Sequence, residues 1–308
     1  MPGDLLYVDL QLNGYRGVDF NADDLAADSC HATCESLRGD GVAAVLATII
    51  TDDLDRMAAR LARIAAIRQQ DPLVASVICG IHVEGPFLDP SPGYVGAHPP
   101  AAVRPAELQA MKRLVDAAGG LVRIVTIAPE HDLGLSVTRW LAEQKIIVSA
   151  GHCNPSLDQL RAAIDAGLSM FTHLGNGCPM FLHRHDNIIQ RALSLAEHLQ
   201  ICFIGDGVHI PYPTLANFLR CVPPERVIIV SDGISAAGLG PGCYTLGGQT
   251  VNVGEDLAAR SPDGSHFMGA AATMPQIAAG LRDKVGLDET AIRRLMWTNP
   301  SRAIGAPQ

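Results

Sequence analysis

Eight short, β-branched apolar runs recur along the chain with helical stretches between them. This alternation limits the fold more than any other feature. The runs are LLYVDLQL (5–12), VAAVLATI (42–49), SVICGIHV (76–83), LVRIVTIA (121–128), IIVSA (146–150), LSMFTH (168–173), ICFIG (201–205) and RVIIVSD (226–232). Near-continuous apolar runs of this length fit parallel strands buried on both faces. The stretches at 52–70, 105–120 and 155–167 carry helical periodicity. The last has Ser156 and Asp158 in its first turn and Gly167 as its stop. Strand and helix alternating eight times predict an α/β fold of the (β/α)8 TIM-type barrel kind. A doubly wound open sheet is the competing architecture. It announces itself with a glycine-rich loop after its first strand, but NGYRG (13–17) is not G-x-G-x-x-G. The 308 residues, 48% of them hydrophobic, suit one barrel domain spanning 1–308.

A barrel places its chemistry at the C-terminal ends of its strands. Those ends carry Gln11 and Asn13, then Thr48 and Thr51, His82 and Glu84, Glu130, His152, His173, Asp206 with His209, and Asp232. Nearly every strand exits into a polar or titratable side chain. Glu84, His152 and His173 are good metal ligands from three separate strands, and a His₂Glu set with an open position is a catalytic zinc arrangement. One divalent metal per subunit is expected there, zinc first, with iron, cobalt or manganese able to use the same donors. Asp232, ending the last strand, is placed as general base and acid. His82 shares a strand with Glu84 and is read as orienting or structural. Thr48 and Thr51 are read as packing, Glu130 as fixing a loop, and His31, His131, His185 and His198 as surface residues.

Charge and composition narrow the partners. Lys plus Arg is 23 against 32 Asp plus Glu, a net charge of −9 with no basic run. This is a poor match for nucleic acid. The start MPGDLLYVDL has no basic leader, and no stretch approaches a membrane span. The eight scattered cysteines, with no C-x-x-C pair, read as mostly buried small apolar side chains in a cytoplasmic protein.

Six segments then resemble one family in order along the chain: VDLQLNGYRGVDFN (8–21), GIHVEGPFLDPSPGYVGAH (80–98), VSAGHCNPSLDQLRAAIDAGLSMFTHLGNGCP (148–179), IGDGVHI (204–210), IVSDGISAAGL (229–239) and TNPSRAIG (298–305). They resemble the N-acetylglucosamine-6-phosphate deacetylases of the amidohydrolase superfamily. The resemblance implies a metal-dependent hydrolase that cleaves the linear amide of a phosphorylated amino sugar and releases acetate. It places Glu84, His152 and His173 as metal ligands and Asp232 as the acid/base residue. His209 would contact substrate and, with the metal, polarise the acetamide carbonyl. His98, Asn176 and Gly177 would line the sugar site, and Phe267, Met268 and Gly269 would close on it. Arg184 falls where the family has an arginine reaching the sugar phosphate from a neighbouring subunit. A homodimer is expected, because the chain's flanks or a subunit interface must cover what a further small domain covers in relatives.

The chain also departs from that pattern. Relatives carry a small β-sandwich domain built from flanking sequence. Here the first barrel strand begins near residue 5 and the chain stops soon after NPSRAIG, so the expectation is a barrel without it. The arginine is followed by His185-Asp186-Asn187 in place of Glu-Pro-Gly, and the closing loop is one residue longer at Phe267-Met268. Gln11 and Asn13 stand where many amidohydrolases have the His-x-His of a second metal, which implies a vacant second-metal position. The alternatives are an amidohydrolase acting on another N-acyl amine or a cyclic amide, and a non-catalytic sensor of an amino-sugar phosphate.

Overall fold

A computed structural model describes residues 7–305. Leu5 and Leu6 of the first expected run lie outside the described residues. Eight parallel strands form one sheet in sequential order: β1 (Tyr7–Leu12), β2 (Val42–Ile50), β3 (Ile78–Glu84), β4 (Val122–Ile127), β5 (Ile147–Ala150), β6 (Leu168–Phe171), β7 (Gln200–Ile204) and β8 (Val227–Val230). The ends of the sheet meet. Leu12 bridges Gly233 in parallel sense, Asn13 N donates to Gly233 O at 2.7 Å, and the buried Asp9 carboxylate accepts from Ser231 N at 3.2 Å and from Ser231 Oγ. The (β/α)8 barrel is thereby closed.

Alternation along the strands sorts the core. On β2, Ala44 and Leu46 join Val8, Leu10, Ile124, Met170, Ile204 and Val230 in an inner cluster, while Val45, Ala47 and Ile49 pack outward against helices. Those helices include Leu54–Gln70 and Leu157–Asp165. The second begins as its sequence predicts. Ser156 accepts from Gln159 N, the Gln159 side chain accepts from Ser156 N, and Gly167 ends the connection at φ +113°. Residues 76 and 77 of the third run belong instead to the short helix Pro72–Val77, which follows the N-capping Asp71.

One element was not expected from sequence. A four-stranded antiparallel sheet follows β8: β9 (Gly242–Leu246), β10 (Gln249–Val253), β11 (Ala258–Arg260) and β12 (Phe267–Ala270). Its first hairpin turns on Gly247 and Gly248, both at positive φ, the backbone that two-residue hairpins favour. The sheet is tied to the end of β8, because Ala270 N donates to Asp232 O and Ile234 N to Ala270 O, each at 2.9 Å. No helix among the described residues is long and apolar enough to cross a membrane. All eight cysteines are free, but the expectation that most are buried holds for only four of them; Cys221 and Cys243 are exposed.

Candidate metal centre and active site

The C-terminal ends of the strands open into a cavity of about 730 Å³ whose wall includes Asn13, Glu84, His98, His152, His173 and Asp232. Three of these hold left-handed backbone: His152 at φ +50°, His173 at +31° and Asp232 at +51°. Non-glycine residues avoid this region at a cost of order 1 kcal/mol or more, and strain of this kind collects at functional sites. Here it turns each side chain at a strand exit.

Glu84 ends β3 and is buried. Its Oε1 lies 3.0 Å from His173 Nε2 and 3.4 Å from His152 Nε2, and the two Nε2 atoms are 3.1 Å apart. His98 Nε2 approaches His152 Nε2 to 3.2 Å. Hydrogen bonds set the tautomers. His152 Nδ1 faces Tyr94 O at 2.7 Å. A carbonyl only accepts, so Nδ1 carries the hydrogen and Nε2 presents a lone pair. His98 Nδ1 accepts from Thr51 N at 3.4 Å, which leaves the hydrogen on Nε2. Gly96 and Gly177 wall the His152 ring, since a Cβ on either would sit 2.9 Å from it.

The electrostatics agree with this arrangement. Burial opposes charge on Glu84, but the His152 and His173 hydrogen bonds overcome it and hold the carboxyl well below its usual range. Burial likewise opposes the His173 imidazolium, and contact with Glu84 reverses that and raises its pKa. Burial, reinforced by His152, pushes His98 down to about 3, and burial pushes His82 down to about 4, so both are neutral at pH 7. An anionic oxygen and two imidazole nitrogens aimed at one point are the donor chemistry of a divalent cation, so Glu84, His152 and His173 fit the metal expected of them.

Asp232 lies half-buried beside this set. Burial first, and then the Glu84 charge, raises its carboxyl to about 6. Asn13 Nδ2 donates to its Oδ1 at 2.8 Å, and Gln11 Nε2 donates to Glu84 Oε1 at 3.1 Å. Gln11 in β1 and Asn13 just after it therefore each serve one of the two carboxylates. His209 lines the same cavity, its Nδ1 on Asp206 Oδ2 at 2.7 Å and its ring 4.7 Å from Phe267.

The structure brings Asn176, Gly177, Phe267 and Gly269 to the cavity wall as well, but not Met268. Along β12 successive side chains alternate. Phe267 and Gly269 face the cavity, whereas Met268 is 2% exposed in a small core with Ile234 and Leu246. Arg184 is exposed and is not part of its own chain's cavity wall. Asp186 is engaged by Arg191 Nε at 2.6 Å. His82 is held between Leu10 O at 3.2 Å and Thr126 Oγ1 at 2.7 Å, contacts that suit the orienting or structural role expected of it. Glu130 fixes a loop by accepting from Asn154 N.

Sequence reasoning missed two features. A buried hydroxyl layer, Thr126 to Thr172 at 2.7 Å and Ser149 to Thr172 at 2.6 Å, lies beneath the ligands. Single hydroxyls inside apolar runs were its signal. The other feature is Arg260, which lines the cavity from β11 and had no motif to mark it.

No family model matches the chain. It is 31% identical to the N-acetylglucosamine-6-phosphate deacetylase of Bacillus subtilis over 99% of its own length and 75% of that protein. It is 28% identical to an Escherichia coli N-acetylgalactosamine-6-phosphate deacetylase over 97% of its length and 77% of the other. Its fold matches that of the Mycobacterium smegmatis N-acetyl-D-glucosamine-6-phosphate deacetylase, solved in complex with N-acetyl-D-glucosamine-6-phosphate, at a TM-score of 0.88 and 30% identity, covering 98% of this chain and 77% of that one. Together with a closed (β/α)8 barrel whose strand ends gather Glu84, His152, His173 and Asp232, these likenesses show that the chain belongs to the N-acetylglucosamine-6-phosphate deacetylase family.

Proposed function

We propose that the protein is a metal-dependent hydrolase that converts N-acetylglucosamine 6-phosphate, or a close N-acetylhexosamine phosphate, to the free amine and acetate. The observation that carries this reading is the convergence of Glu84, His152 and His173 with Asp232 in one cavity. Glu84, His152 and His173 would hold one divalent metal, zinc by donor preference. When bound it supplies Lewis acidity toward a carbonyl and toward water. Asp232 takes a proton from the attacking water and passes it to the leaving amine. His98 donates its Nε2–H toward the acetamide oxygen, where negative charge develops. Its place beside His152 favours it for this role over His209, whose Nδ1 is committed to Asp206. His209 Nε2 is free to meet a sugar hydroxyl, with Asn176 and Gly177 along the ring. Asn13 Oδ1, a buried acceptor without a partner among the described residues, is available to the substrate amide or the water.

We read the enzyme as cytoplasmic, in keeping with its eight free cysteines, and as a homodimer. Arg184 is not part of its own cavity wall, and the family resemblance gives its place to an arginine that serves a neighbouring subunit. Phe181, three residues before it, is exposed and available to such a contact. Light scattering at micromolar concentration is expected to give twice the chain mass, and Phe181→Glu to shift it toward the monomer.

The reaction is tested by acetate release from N-acetylglucosamine and N-acetylgalactosamine, each with and without a 6-phosphate, on metal-loaded protein. At least tenfold higher kcat/KM for a 6-phosphate is expected. Turnover of other amides alone would replace this reading by a different amidohydrolase, and sugar binding without turnover by a sensor. Relatives acting on both epimers make the galactosamine arm necessary.

The pH profile follows from Asp232. Its protonated form cannot accept a proton, so kcat/KM falls as pH drops through its pKa. Burial and Glu84 put that pKa at about 6, and a cation on Glu84 offsets the repulsion, so the acid limb is expected at or below pH 6. Asn13 donates to the charged form and so lowers the pKa. Asn13→Ala is therefore expected to move the limb to higher pH. A limb that stays in place would remove Asn13 from this role.

A further inference from the structure

The cavity that receives the amide needs a cation for a phosphate, and its own chain offers one. Of the described residues lining it, Arg260 is the only arginine, and none is a lysine. Arg260 ends β11 and pairs across the ladder with Phe267 on β12. Its guanidinium lies over the Phe267 ring, 5.4 Å from the centroid, and that ring packs against His209 at 4.7 Å. Two residues along β12 from Phe267, Gly269 touches the Asp232 backbone, where an added Cβ would fall 3.0 Å from Asp232 O. Phe267 and Gly269 both line the cavity wall, so one strand joins the Arg260 end of the cavity to the Asp232 end. The guanidinium is held in place but not buried. Asp256 takes Nη1 at 3.1 Å and Nη2 at 2.8 Å, and the Arg260 side chain remains 37% exposed.

We infer that Arg260 is a specificity residue that selects the phosphorylated sugar by binding its phosphate in cis, in the same chain whose Glu84 and Asp232 act on the amide. Phe267 aligns it by cation–π contact and Asp256 orients its planar fork, which leaves the N–H groups not taken by Asp256 to donate to a phosphate dianion. The inference rests on the substrate reading above. It adds a residue to that reading: Arg184 does not line its own chain's cavity and would serve a phosphate only from a second copy, whereas Arg260 lines the cavity of its own chain.

The test compares wild type with Arg260→Gln, Arg260→Lys and Asp256→Asn. One measurement is kcat/KM for N-acetylglucosamine with and without the 6-phosphate. The other is calorimetric binding of glucosamine 6-phosphate and glucosamine. Arg260→Gln is expected to lower the phosphorylated-to-unphosphorylated preference tenfold or more in both measurements, chiefly through KM. Arg260→Lys is expected to keep part of it, and Asp256→Asn to keep it or raise it. A preference within twofold of wild type in Arg260→Gln overturns the inference. So does an equal loss on both sugars in Arg260→Gln and Asp256→Asn, which marks a structural ion pair. If wild type releases no acetate from either sugar, the deacetylase reading fails, while the binding arm still decides the role of Arg260.

Discussion

Asp232→Asn is expected to lower kcat on N-acetylglucosamine 6-phosphate by roughly 10³-fold, within the usual range for removal of an acid/base group. The substitution keeps shape and removes basicity. Asn13 Nδ2, now 2.8 Å from Asp232 Oδ1, still finds an amide oxygen there. The backbone at +51° suits asparagine, which enters left-handed conformations more readily than most residues. The barrel closure beside it runs through Asp9, Ser231 and Gly233 and is untouched. Circular dichroism, metal content and sugar binding are therefore expected to match wild type while acetate release collapses. Activity within tenfold of wild type would remove Asp232 as the proton carrier.

The same residues show what the sequence made legible. Asp232, His152 and His173 could be found because each ends a strand whose apolar run is strong, and a parallel barrel sends every such end to one rim. Ser156 announced its helix because a capping box is a contact between residues three apart. His98 was harder to place. It comes from a loop after β3, and its neighbour His152 is 54 residues away, so only the folded loop brings their Nε2 atoms to 3.2 Å. Met268 was misplaced because being in the closing segment does not say which face of β12 it occupies. Arg260 was invisible because its partners, Asp256 and Phe267, make sense only once the antiparallel sheet exists. That sheet has short strands and an ordinary Gly-Gly hairpin, signals weaker than a buried apolar run.

Glu84→Gln is expected to reduce metal from about one ion per chain to a small fraction of that, and activity with it by more than roughly 100-fold, the upper end of what losing a mere supporting contact costs. Glu84 is the only charged donor of the three, and its charge faces His152 and His173 at 3.4 and 3.0 Å. A neutral amide in its place offers a weak oxygen ligand and no compensating charge. Addition of zinc, cobalt or manganese in excess is expected to restore part of the activity if affinity alone is lost. Metal analysis of fully loaded wild type then decides the count. Gln11 Nε2 donates to Glu84, and Asn13 Nδ2 to Asp232. Carboxylates only accept, so both amides turn N–H groups toward the acids, and no imidazole lone pair stands where a second cation would bind. One metal per chain is the count expected from that orientation. Two per chain would mean that these amides yield their hydrogen bonds to a cation, and the single-metal reading of the first strand would fall.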